Sequence, residues 1–315
     1  AQASGPKMPC VPFGESASGV PSCASRLLDG AGAGVRAALR KAAGVCTARS
    51  SETACEGRKL DAAEQIAADW SASTVQHTAS DGRVVQRTVV FGDALRWLED
   101  QGELPGSIIT SLPDITELSY LNMSVDQYSD WFVATARQIF RKAPSASVVV
   151  FYQTDFRRSG RWIDKSALCF LAAQQEQARL LFHKIVCIEP PDSFDRNTPK
   201  PRYSHLVGYS KSLQDDMREN TADVLSDRGH MTWERAMGQL ACELACKYIL
   251  RQAPVALRKI VDPFCGHGTT LAMANSLGMD SIGVERNKGR CQKARNLILQ
   301  FGAEARAVCS EKKKK

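Results

Sequence analysis

From Arg83 onward the chain alternates short, β-branched apolar runs with longer amphipathic stretches. Residues 84–91, 107–111, 147–152, 182–188, 204–209, 259–262 and 281–284 read as strands, being short, rich in Val and Ile and bounded by turn formers. Between most of them the apolar positions recur at helical spacing. Ser124 caps a helix running through Lys142, with Gln127 three positions on to complete a capping box. Thr232 caps another to about residue 250, and 269–277 and 287–300 read as two more. Strands alternating with helices predict an α/β fold, a doubly wound and mostly parallel sheet of seven strands.

Residues 1–82 lack that patterning. They are rich in Ala, Ser and Gly, with weak helical stretches at 27–43 and 60–70, and read as an N-terminal extension, either poorly ordered or the remnant of a targeting segment. The folded domain is expected over 83–305, followed by a basic tail, 306–315, that ends in a lysine run. The 315 residues carry a net charge of +7, of which Lys312–Lys315 supply four. The body is therefore mildly basic, which suits a polyanionic partner without requiring one. No apolar run reaches the roughly 18 residues of a membrane span, so no membrane partner is expected. None of the 11 cysteines forms a C-x-x-C pair, and most sit in apolar contexts. This composition favours a reducing, intracellular compartment, with organelle and nucleus both open. Cys242 and Cys246, four apart on one helix face, read as core, and no metal site is expected.

The most informative stretch is residues 261–287, VDPFCGHGTTLAMANSLGMDSIGVERN. A strand ends at Asp262, a turn holds Gly266 and Gly268, a helix starts at Thr269, and a second strand ends at Glu285. Glycines there let the backbone approach a ligand, and the first amides of the helix favour an anionic group. A carboxylate at the second strand end can take both hydroxyls of a ribose. Leu271 breaks the dinucleotide fingerprint G-x-G-x-x-G, so the ligand stays open on spacing alone.

Asp-Pro-Phe-x-Gly-x-Gly-Thr-Thr followed by Ile-Gly-Val-Glu resembles the cofactor motifs of the class I methyltransferases that act on amino groups, among them the enzymes that methylate adenine or cytosine amines in DNA. The resemblance implies S-adenosylmethionine as cofactor. It implies that Asp262, Phe264, Gly266, Gly268 and Thr269 form the methionine-binding loop and that Glu285 binds the ribose. It further implies that Asp93, after the strand 84–91, meets the adenine, and that Thr232 lies near the cofactor carboxylate. The family's second motif, Asp/Ser-Pro-Pro-aromatic, has a partial counterpart in Ser111-Leu112-Pro113-Asp114. By that resemblance Ser111 and the Leu112 carbonyl orient the target amine, while Asp114 stands where an aromatic should stack on the base. A ring must then come from elsewhere, with Tyr120 and Tyr152 the candidates. The acceptor motif precedes the glycine loop in this chain, the permuted order that resembles the β-type group, and the fold implied is the Rossmann-like methyltransferase fold.

Residues 151–166 should lie at the carboxyl edge of the sheet and offer Tyr152, Asp155, Arg157, Arg158, Arg161 and Trp162, a set suited to phosphates and bases. His205 is a further candidate substrate contact, and 187–204 occupies the place of a short recognition insert. The expectation is an S-adenosylmethionine-dependent methyltransferase acting on an amine of a nucleic-acid base. It leans to RNA because the insert is short and the stacking position altered. The alternatives are a DNA amino-methyltransferase or a catalytically silent nucleic-acid-binding module on this fold. The sequence leaves any protein partner unspecified.

Overall fold

A computed structural model describes residues 71–191, 201–215 and 221–299. The targeting reading of the N-terminal residues, half of the recognition insert and the basic tail lie outside the described residues.

All seven expected strands form, within two or three residues of their expected bounds. They are β2 (Val84–Phe91), β3 (Ser107–Thr110), β4 (Val149–Gln153), β7 (Arg179–Cys187), β8 (Tyr203–Ser210), β10 (Ile260–Asp262) and β11 (Ser281–Glu285). Two more join the same sheet, so among the described residues it has nine strands, ordered β1-β2-β11-β10-β3-β4-β8-β7-β9. The additions are β1 (Ser71–Thr78), antiparallel to β2, and the two-residue β9 (Val224–Leu225) beside β7. β1 falls inside what the sequence assigned to the extension. It is an edge strand with no buried residue, so it carries no apolar stripe to announce it. The five strands from β2 through β11, β10 and β3 to β4 are parallel to one another, and β8 enters antiparallel between β4 and β7.

Among the described residues six α-helices cover the sheet: α1 (Ala94–Asp100), α2 (Val125–Lys142), α3 (Lys165–Gln175), α4 (Gln239–Gln252), α5 (Thr269–Ser276) and α6 (Lys288–Asn296). Side chains of successive strand residues point to opposite faces, and β3 shows both faces covered: Ile108 joins one core, Ile109 the other. The first core packs Trp97, Phe132, Ile139 and Phe140 of α1 and α2 against the sheet, and the second packs Ala241, Ala245, Ile249 and Met273 of α4 and α5. The capping box is as expected, with Gln127 N bonded to Ser124 Oγ and Ser124 N to Gln127 Oε1. The Thr232 helix is not. The amides of Gln239 and Leu240 are taken by the carbonyls of His230 and Arg228, so the chain doubles back and α4 starts only at Gln239. The Arg87 side chain, buried within the sheet, donates to the carbonyls of Ala294 and Leu297 at the end of α6 and to Asn275 Oδ1 of α5. Burial pulls its guanidinium down to about 10.

Candidate active site

Asp93 follows β2, Ser111 follows β3, Asp262 closes β10 and Glu285 closes β11. Parallel neighbours end together, so these four reach one edge of the sheet, where ligands bind in such folds. A cavity of about 380 Å³ opens there. Of the residues expected at a site, it is lined by Asp93, Asp262, Phe264, Gly266, Thr269 and Glu285 on the cofactor side and by Ser111, Leu112 and Pro113 on the acceptor side.

The two loop glycines do different work. Gly266 has φ +55° and faces the cavity, where an added Cβ would come within 3.2 Å of the Trp233 ring. Gly268 has φ +82° and is not in the cavity wall; an added Cβ would lie 2.8 Å from the Ala294 Cα of α6. The missing side chain there lets helix and loop touch, and the cavity lining gives no support to the expectation that Gly268 meets the ligand. Asp262 is buried and accepts from Thr110 Oγ1 at 2.8 Å and from the Phe264 amide at 3.1 Å. Burial pushes its carboxyl up to about 6. Burial also raises Glu285, whose Oε1 accepts from the Asn287 amide at 2.8 Å. Asp93 Oδ1 caps α1 by accepting from the amides of Leu95 and Arg96. Thr232 lies outside the cavity wall, with its hydroxyl 2.5 Å from that of Thr269, so it braces the start of α5. A polar rim of buried carboxylates and helix-start amides around Leu112, Phe264 and Val284 fits a nucleoside carrying a charged tail, and so fits S-adenosylmethionine.

On the acceptor side the arrangement departs further from expectation. Asp114 is not in the cavity wall. Its carboxylate pairs with the Lys165 ammonium, and its carbonyl accepts from the amides of Glu117 and Leu118. Tyr120 does line the cavity, with the Arg286 guanidinium 4.4 Å from its ring centre, whereas Tyr152 is buried in the second core and offers no face to the cavity. Sequence reading missed Trp233, Arg235 and Arg286, which line the cavity from loops of no regular pattern. Arg235 reaches across to Glu117 at 3.2 Å.

The remaining candidates gather beside the site rather than in it. Residues 156–163 form a separate hairpin of β5 (Phe156–Arg158) and β6 (Arg161–Ile163). Its two-residue turn, Ser159 and Gly160, has positive φ at both positions, the geometry that matches strand twist in tight hairpins. Arg157 stacks on the Trp162 ring at 4.3 Å, Arg161 pairs with Asp126 at 2.8 Å, and Arg158 is exposed. Asp155 is buried beneath, accepting from Trp162 Nε1 and from the Lys165 amide. His205 is buried as well, with one ring nitrogen 3.1 Å from Asp155 and the other 2.9 Å from His183. Both residues thus lie beneath the hairpin, bonded to each other, and neither lines the cavity.

Residues 256–296 match the sequence model of the N6/N4 methyltransferase family, described as DNA methylase. The chain resembles these amino-group methyltransferases. The match bears out the methyltransferase reading and its cofactor, S-adenosylmethionine. Among solved structures, the cytosine-N4-specific PvuII DNA methyltransferase superposes with a TM-score of 0.52 at 15% identity, over 71% of this chain and 90% of that one, and shares the α/β fold. TTHA0409, a putative DNA modification methylase from Thermus thermophilus, gives 0.47 at 16% identity, over 65% and 90%. No curated protein matches in sequence. The matched family is one of DNA methylases, so the lean to RNA finds no support and the DNA alternative is favoured.

Proposed function

We propose that the chain methylates an exocyclic amine of a base in DNA. The observation that carries this reading is one cavity shared by the glycine turn, the carboxylates Asp262 and Glu285, and the motif Ser111–Leu112–Pro113. S-adenosylmethionine, when bound, supplies an electrophilic methyl group on a sulfonium. The protein's part is to orient and to neutralise. Glu285 takes the ribose hydroxyls, Asp262 faces the cationic end, and Gly266 leaves room for the ligand. The Ser111 hydroxyl and Leu112 carbonyl accept hydrogen bonds from the amine, which aims its lone pair at the methyl group. Tyr120 supplies the ring that the motif lacks, and the hairpin arginines Arg157, Arg158 and Arg161 meet phosphates.

We further propose that the order of elements is the permuted one, with β10 and β11 serving as first and second strands although they come last in the chain. The central placement of β11 and β10 between β2 and β3 supports it. The domain then takes in β1, which lies ahead of the boundary expected from pattern. A reducing, intracellular compartment remains the favoured location, supported by the six cysteines among the described residues, all buried free thiols. Among the described residues no helix is long and apolar enough to cross a membrane.

The test is incubation of the purified chain with S-adenosylmethionine labelled in the methyl group and unmethylated genomic DNA or total RNA. Label in DNA recovered as methylated adenine or cytosine supports the proposal. Label confined to RNA overturns the choice of DNA.

A further inference from the structure

We propose that Lys165 is a positioning residue for methyl transfer. Its ion pair with Asp114, the residue that stands in place of the motif aromatic, holds the acceptor motif in place. The inference rests on the methyltransferase reading above.

Lys165 opens α3, yet its side chain is only 2% exposed. Its ammonium meets the Asp114 carboxylate and faces two rings, with centres 6.0 Å away in Tyr128 and 5.7 Å away in Phe156. Those rings meet edge to face at 5.5 Å, and the Tyr128 hydroxyl donates to the Pro113 carbonyl at 3.0 Å. The amide of the same lysine donates to Asp155 Oδ1 at 2.8 Å. One residue thus ties the base of the arginine hairpin to the residue following Ser111–Leu112–Pro113. Asp114 is fixed from the other side as well, its amide donating to Glu117 Oε1. The short motif that lines the cavity is therefore held at its carboxyl end by a side-chain pair and behind by a tyrosine hydroxyl.

Nothing in folding alone asks for this arrangement. Burying the ammonium of Lys165 costs desolvation free energy that a pairing with a half-exposed carboxylate offsets only in part. A cation in the first turn of a helix also opposes the helix dipole. A cation kept where two local rules disfavour it marks a functional site, since proteins break such rules mainly there. The Asp114 carboxylate, half-exposed and next in sequence to the cavity wall, is thereby held as one member of an ion pair, which fixes where Ser111–Leu112–Pro113 ends.

The test uses the full chain with Lys165→Met, Lys165→Arg, Asp114→Asn and the double variant Asp114→Asn/Lys165→Met. Measured are the melting temperature, the dissociation constant for S-adenosylmethionine, and kcat and KM for labelled methyl transfer to unmethylated genomic DNA. Lys165→Met should lower kcat at least about tenfold, as displacement of a reacting group does, and leave cofactor affinity within about twofold. Lys165→Arg should recover part of the loss. The double variant should be no slower than the worse single one, because both remove the same contact. Wild-type kcat in Lys165→Met, with or without a lower melting temperature, overturns the proposal and leaves the methyltransferase reading intact. Losses that multiply in the double variant also overturn it. If Lys165→Met fails to fold, Asp114→Asn and Lys165→Arg decide alone: full activity in Asp114→Asn overturns the role. If the wild-type chain methylates no nucleic acid, the reading and this role fall together.

Discussion

At the cofactor end of the cavity the geometry is set by backbone: a glycine turn, the first amides of α5, and two carboxylates fastened mainly by amides and a hydroxyl. At the acceptor end it is set by side chains meeting other side chains, Asp114 with Lys165, Glu117 with Arg235 and Tyr120 with Arg286. Backbone constraints act over a few residues and fix which residue types are allowed. Side-chain pairs join distant parts of the chain and leave little local trace. The first end should thus fail completely when one position changes, and the second should fail by degrees.

The sharpest way to break this contrast is the pair of glycines. Gly266→Val places a branched side chain between Trp233 and the ligand and should abolish S-adenosylmethionine binding, leaving no measurable heat in calorimetry. Gly268→Ala puts a Cβ against α6 at a positive φ, so it should cost about 1–3 kcal/mol of stability in denaturant unfolding, with binding changed far less. Equal loss of binding in both variants would show that the two glycines do the same work.

Asp262 sharpens the contrast through pH. Its carboxyl is raised to about 6 in the folded chain, so folding takes up a proton between its ordinary value near 4 and that point. The contribution of this group to stability is therefore greatest at low pH and falls as pH rises through 6, by up to about 3 kcal/mol for a shift of roughly two units. Asp262→Asn should be more stable than wild type at pH 7.5 and should lose that advantage near pH 4, as read by thermal melts. The cationic cofactor prefers the ionised carboxylate, so its affinity for wild type should rise between pH 5 and 7. A pH-independent difference between the two proteins would remove Asp262 from this account. Glu285→Ala should weaken cofactor binding by about 1–3 kcal/mol, the range for a lost charged hydrogen bond.

The smallest expected effect lies at the hairpin. Neutralising Arg157, Arg158 and Arg161 together should lower DNA affinity across sequences and reduce the dependence of binding on salt by up to about three counterions, with cofactor affinity unchanged. Arg161 already pairs with Asp126, so its share should be the least. An unaltered salt slope would leave the hairpin without a substrate role.

What could be read from the chain follows the same division. The seven strands and the Ser124–Gln127 capping box were visible because β-branched runs and cap residues act locally. The glycine turn and Glu285 were visible because a close-approach turn and a strand-end acid admit few residue types. β1 was not, having polar residues on both faces of an edge. Thr232 looked like a cap until the carbonyls of Arg228 and His230 were seen to occupy the first turn of α4. Lys165 and Arg87 are buried with nothing in their local sequence to signal it, since burial of a cation depends on partners elsewhere in the fold. Asp155 and His205 sit beside the site, but their bond to each other joins residues 50 positions apart and leaves no local trace in the sequence.

The central position of β10 and β11 bears on how the protein is made. β2 and β3 follow each other closely in the chain, yet two strands from near the other end of the described chain lie between them. Gln86 and Asp280, 194 positions apart, are hydrogen-bonded across the resulting seam. During synthesis β2 and β3 must wait with unpaired edges until residues 260–285 have left the ribosome. The intermediate offers two open strand edges, and the final step closes contacts of high sequence separation, which is slow. A nascent chain stalled just before Ile260 should therefore be aggregation-prone and bound by chaperones, and release of the last strands should convert it in one cooperative step.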